Sequence, residues 1–111
     1  MSEDKLQADF FKWVWNTYPQ LRRLIWAVPN GGYRNKQEAI KLKATGTIAG
    51  VWDLHLFYKN QFYIIETKVG KNGLSPVQVE WRDLMIEQGA KAFIYYTLEE
   101  GQDIINQILK S

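Results

Sequence analysis

Apolar positions recur along this chain with two different periods, and the points where one period gives way to the other outline eight elements. From Ser2 to about Tyr18, Leu6, Phe10, Trp13 and Val14 form a stripe at helical spacing, with Ser2 placed to cap the first turn and Pro19 to end the helix. Leu24 to Val28 is a short apolar run closed by Pro29 and Asn30-Gly31-Gly32, which predicts a strand followed by a tight turn. Asn35, with Glu38 three residues on, resembles a capping box that opens a second helix to about Ala44, and Gly46 suits its end. The runs VWDLHLFY (Val51 to Tyr58) and QFYIIETK (Gln61 to Lys68) flank the polar tip Lys59-Asn60 and predict a hairpin. Ser75, Pro76 and Gln78 mark the start of a third helix, with Val77, Trp81, Leu84 and Met85 as its buried stripe and Gly89 as its end. Lys91 to Thr97 then reads as a strand, and Thr97 with Glu100 caps a last helix whose Ile104, Ile105 and Ile108 face inward. The order is α-β-α-β-β-α-β-α, an α/β chain.

The hairpin interrupts its own pattern with charge. Asp53 lies on the first strand, and Glu66 and Lys68 on the second. A turn at Lys59-Asn60 sets Asp53 opposite Glu66, and a turn at Asn60-Gln61 sets it opposite Lys68. Either register gathers all three on one face, because strand residues two apart point the same way. Trp52, Leu54, Leu56, Tyr63 and Ile65 are expected on the other face as core. Two facing carboxylates repel by on the order of 0.2–1 kcal/mol, a cost that a bound divalent cation reverses and that Lys68 alone can offset. By spacing, a metal site and a plain surface ion cluster fit equally well.

Composition narrows the chemistry. With 111 residues the chain supports one compact domain, residues 1–111, with one core. Aromatic content of 14% with five Trp suits a small protein that buries much area per residue, so Trp13, Trp15, Trp26 and Trp81 are expected in the core rather than as base-stacking platforms, with a subunit interface open for some. There is no Cys and a single His, which removes disulfides and thiolate or imidazole-rich zinc sites; oxygen ligands point to Mg²⁺ or Mn²⁺. The amino-terminal residues are acidic and polar, and no apolar run reaches the roughly 20 residues needed to span a bilayer, so a soluble, cytoplasmic protein with no membrane contact is expected. Net charge is only +2, yet Arg22, Arg23, Arg34, Lys36, Lys41 and Lys43 face a single acid, Glu38, between positions 22 and 43. That segment is either a solvated helix face or a track for a phosphate backbone.

Asp53 followed after twelve residues by Glu66-Thr67-Lys68 resembles the D…(D/E)xK signature of the PD-(D/E)XK nuclease superfamily. With Asn30-Gly31-Gly32, the run from Gly46 through Gly50 to Asp53-Leu54, and Leu74-Ser75-Pro76-Val77-Gln78, the chain resembles the VRR-NUC (virus-type replication-repair nuclease) family from Glu3 to about Tyr96. It departs at Trp52, where that family usually has Pro.

The resemblance implies a restriction-endonuclease-like core, a mixed β-sheet flanked by helices, with one extra helix after the first strand and one at the end. It implies a Mg²⁺- or Mn²⁺-dependent endodeoxyribonuclease acting on branched or structured DNA, such as a Holliday junction or a flap, in replication, repair or recombination. A homodimer and a phage or bacterial source are in keeping with it. The implied catalytic residues are Asp53, Glu66 and Lys68, with Gln78 beside the metal site. Implied metal ligands are Asp53, Glu66 and the backbone carbonyl of Thr67, joined by Glu3, whose other reading is a first-turn acid favoured by the helix dipole. Asn30, Gly31, Gly32, Arg34, Lys36, Lys41 and Lys43 are the implied nucleic-acid contacts. The rival function is a structured-DNA-binding module of the same fold without catalysis, which would be free to lose one of Asp53, Glu66 and Lys68. A structural interaction domain leaves the charged hairpin unexplained.

Overall fold

The computed structural model describes residues 1–29 and 35–111. Among these residues the elements run α1 (Glu3–Thr17), β1 (Ile25–Ala27), α2 (Lys36–Ala44), β2 (Leu54–Tyr58), β3 (Gln61–Thr67), α3 (Pro76–Glu87), β4 (Lys91–Tyr95) and α4 (Leu98–Lys110), with one 3-10 turn at Pro19–Leu21. Their order is the expected one. The helix starts also follow the sequence: Ser2, Asn35, Ser75 and Thr97 each accept a hydrogen bond from the backbone three residues on. Only Ser75 and Gln78 form the complete reciprocal box. Glu100 turns back instead to the N–H of Tyr96, at 2.7 Å.

The hairpin turn is Lys59-Asn60. Both residues have positive φ, 48° and 66°, the conformation whose twist matches two antiparallel strands joined by a two-residue loop. Tyr58 therefore pairs with Gln61 and Leu54 with Ile65, which sets Asp53 alongside Glu66 and excludes the register with Lys68 opposite. The sheet has the order β1-β2-β3-β4, antiparallel except for β3 and β4, which are parallel and joined through α3. It is a mixed sheet.

Helices cover both faces. Leu6, Phe10 and Val14 of α1 and Ile104, Ile105 and Ile108 of α4 pack on Leu54, Leu56, Tyr63 and Ile65. The two helices close tightly because position 101 is glycine: a Cβ there would stand 2.6 Å from the Phe10 ring. On the opposite face Trp81 of α3 packs with Ile64 and Trp52. Trp52 thus belongs to the α3 side, not with Leu54 and Leu56 as alternation predicted, because regular strand begins only at Leu54 and the preceding residues are free to turn the indole the other way, where its N–H donates to the Gln78 carbonyl at 3.1 Å.

One expectation about a helix face fails, and a second helix is wholly unburied. In α3 only Trp81 is buried, while Val77 and Leu84 are 45% and 57% exposed. α2 buries none of its residues. Val77 and Leu84 instead line one side of an open groove of about 940 Å³, and Ala39, Leu42 and Lys43 of α2 line the other.

Candidate functional site

Asp53 sits where β2 begins and is tied on both sides. Its carbonyl accepts from the Val28 N–H at 2.8 Å, and its own N–H donates to Glu66 Oε1 at 3.0 Å. The Asp53 side chain returns the favour across the hairpin, Oδ2 accepting from the Thr67 N–H at 3.3 Å. The hairpin thereby brings both carboxylates to one end of its strands, and Asp53 lines the groove between α2 and α3.

Glu66 is only 1% exposed. Its other oxygen, Oε2, accepts from Gln78 Nε2 at 2.8 Å and lies 3.4 Å from Lys68 Nζ. Lys68 Nζ donates in turn to Gln78 Oε1 at 3.2 Å, an oxygen that also accepts the Ser75 N–H at 3.0 Å. The capping side chain of α3 is therefore the bridge between the acid and the base, so one carboxamide both starts the helix and orients the site.

Burial raises the Glu66 carboxyl to about 7 and the negative charge of Asp53 adds to the shift, against the opposing effects of the Asp53 N–H, Lys68 and Gln78. Asp53 is raised as well, chiefly by burial; Glu3 adds repulsion, while the Thr67 N–H, Lys68 and Glu66 act the other way. Glu3, at the start of α1, is thus within electrostatic reach of Asp53. Among the described residues, however, no group of three or more His, Cys, Asp or Glu is placed to hold a metal ion.

The donor set still fits a hard divalent cation. A buried and a half-buried carboxylate, both raised by desolvation and the first further by the charge of the second, gain most from a cation of charge two, and Mg²⁺ commonly takes one or two carboxylates while keeping several waters. The Thr67 side chain points away from this site, to the α1 and α4 side, where its hydroxyl donates to Tyr95 Oη at 2.6 Å. Only its backbone can serve the carboxylate side. Tyr95 also accepts the Lys68 N–H on its carbonyl at 3.1 Å, so it fastens the end of β3 twice. Nothing local in the sequence marks Tyr95, because the contact arises from the parallel pairing of β4.

Lys36, Lys41 and Lys43 are exposed on α2, and Lys43 lies on the groove. Arg22 is engaged elsewhere: its Nε donates to the Trp15 carbonyl at 2.9 Å and its guanidinium lies over the Trp15 ring. Asn30, Gly31, Gly32 and Arg34 lie outside the described residues. No helix among the described residues is long and apolar enough to cross a membrane.

No protein-family model matches the chain, and no curated protein matches it. A solved structure described as a VRR_NUC domain protein is similar to it with a TM-score of 0.80 and 24% identity, over 99% of this chain and 89% of that one. That likeness establishes the fold: the α/β architecture of a VRR_NUC domain, a mixed four-stranded sheet flanked by helices.

Proposed function

We propose that this chain is a member of the VRR-NUC family and a Mg²⁺- or Mn²⁺-dependent endodeoxyribonuclease, with Asp53, Glu66 and Lys68 as its catalytic set. The observation that carries the reading is the meeting of two carboxylates raised by burial, a lysine and a bridging glutamine, with Asp53 and Gln78 on one groove, on the fold of a VRR_NUC domain protein. A purely structural ion cluster has no reason to bury Glu66 beside a second carboxylate.

Asp53 and Glu66 would hold the cation, with the Thr67 carbonyl and Glu3 as further ligands. When bound, the cation supplies charge neutralisation at the phosphoryl oxygens and a lowered pKa for water. Lys68 Nζ orients the attacking water or steadies negative charge growing around phosphorus. Gln78 gives Lys68 and Glu66, themselves paired at 3.4 Å, a second partner each and so fixes their placement. Lys36, Lys41 and Lys43 attract the backbone of the strand being cut. Branched or structured DNA is the substrate class, in replication, repair or recombination, and a homodimer is the assembly that places two such sites for paired cuts.

The deciding experiment is cleavage of labelled four-way-junction, flap, duplex and single-stranded DNA in Mg²⁺, Mn²⁺ or EDTA, with Asp53→Ala in parallel. Cutting that needs the metal and disappears in the variant is expected. Salt-sensitive binding without cutting in any metal overturns the nuclease in favour of a DNA-binding module.

A further inference from the structure

Trp26 occupies an edge. It lies on β1, the outermost strand, and its indole is 41% exposed, against the expectation that it belongs to the core. The ring is nevertheless supported. It meets His55 edge-on at 5.8 Å between centroids and Phe62 at 6.4 Å with a 33° tilt. His55 stands edge-on to Phe62 at 5.4 Å and stacks on Trp81 at 5.5 Å and 17°. Three rings from two strands and α3 thus back a single indole that has one side open.

The location links it to the carboxylates. Trp26 pairs with His55, and Val28, two residues further, bonds across to Asp53. Trp26 is therefore the diagonal neighbour of Asp53, a relationship that spans roughly 7–8 Å in an antiparallel pair. The surrounding sequence is cationic: no acid occurs between Asp9 and Glu38, while Lys12, Arg22, Arg23, Arg34 and Lys36 do. An apolar peptide or a second copy of this chain gains nothing from such a cationic stretch, whereas a polyanion with flat π-faces is matched by both features.

We propose that Trp26 is a stacking platform for an unpaired nucleobase of the strand engaged at Asp53. The proposal rests on the nucleic-acid reading above and deepens it: the preferred substrate carries an unstacked base next to the engaged phosphate, because bases inside a continuous duplex offer no open face. Base-aromatic stacking is sequence-tolerant and specifies an unpaired state rather than a base identity.

The test is binding of a fluorescently labelled oligothymidylate, and of a duplex of the same length, by anisotropy in EDTA, so that no cleavage enters. Trp26→Leu, which keeps apolar bulk without a π-face, is expected to weaken single-strand binding roughly 5- to 150-fold, with duplex binding and the salt slope unchanged, since no charge is removed. Trp26→Phe is expected to retain most of the affinity. As a direct readout, 2-aminopurine in the oligonucleotide is expected to be quenched by wild type and not by Trp26→Leu. Wild-type affinity in a folded Trp26→Leu overturns the proposal, as does a wild type with no single-strand binding, or a dimer that Trp26→Leu dissociates without changing oligonucleotide affinity. Should Trp26→Leu fail to fold, Trp26→Phe and the quenching by wild type decide alone. A wild type that binds in this way but never cuts in Mg²⁺ or Mn²⁺ overturns the nuclease and leaves the platform standing; one that cuts without binding single strands does the reverse.

Discussion

Gln78 donates to Glu66 and accepts from Lys68, at 2.8 and 3.2 Å, while the same side chain closes the capping box of α3. One residue carries a structural and a chemical duty, and substitutions separate them. Gln78→Ala is expected to cost about 1–2 kcal/mol of stability through loss of the cap and of a bond to a charged group, measured by urea denaturation. Gln78→Glu keeps a capping acceptor but sets a third negative charge against Glu66. Its cleavage activity is expected to fall further than its stability, and equal losses in both would count against a positioning role.

The proton on Glu66 gives a pH signature. Its carboxyl stands at about 7 in the fold against an ordinary 4.5, raised chiefly by burial. A carboxyl raised by folding binds its proton more tightly in the native state, so its contribution is complete below about pH 4.5 and is lost as pH rises through 7. In EDTA the Tm is expected to decline across that window, and Glu66→Gln to flatten the decline. Mg²⁺ added at pH 8 is expected to raise the Tm of wild type and not of Asp53→Ala. A Tm that rises from pH 5 to 7 in EDTA would sink this account.

Thr67 and Tyr95 form a buried pair behind the site. Tyr95→Phe leaves the Thr67 hydroxyl without its acceptor and is expected to cost about 1 kcal/mol. Thr67→Val should cost a similar amount, and the double variant little more than either alone. Additive losses in such a cycle would show that the two residues do not act as a pair.

Three glycines grade steric demand. At Gly50, φ is 88° and a Cβ would run into the Val77 carbonyl, at the first turn of α3; at Gly46, φ is 109° with open space around it. Gly46→Ala is expected to cost about 1–2 kcal/mol from backbone conformation alone, and Gly50→Ala at least twice as much. Gly50→Ala is also expected to reduce cleavage, because pushing Val77 moves Gln78. Gly101→Ala, pressing on the Phe10 ring, is expected to cost about 1–3 kcal/mol with the site intact.

Much of this was legible because it is local. The hairpin follows from alternation and a two-residue tip, and the helix starts from capping pairs at fixed offsets. Asp53, Glu66 and Lys68 announced themselves as charges on apolar strands. What failed depended on neighbours distant in sequence. Val77 and Leu84 have the spacing of a buried stripe, yet α3 packs on the core through Trp81 and Met85 and leaves those two exposed, and periodicity cannot reveal how wide a contact is. Trp26 carries the bulk of a core residue, but β1 is an edge strand, and no local feature says which strand lies outermost. Tyr95 reaches Thr67 only through the parallel pairing of β3 and β4.

The turn at Lys59-Asn60 also orders events in time. A hairpin closes in microseconds, and Asp53 and Glu66 are separated by 13 residues along the chain, whereas the parallel pairing of β3 with β4 must wait for the whole α3 crossover to be laid down. Sequence separation alone therefore favours the meeting of the two carboxylates over the arrival of Gln78 and Tyr95. A repulsive contact is thus formed by a local piece of chain, and packing from distant parts of the sequence holds it in place.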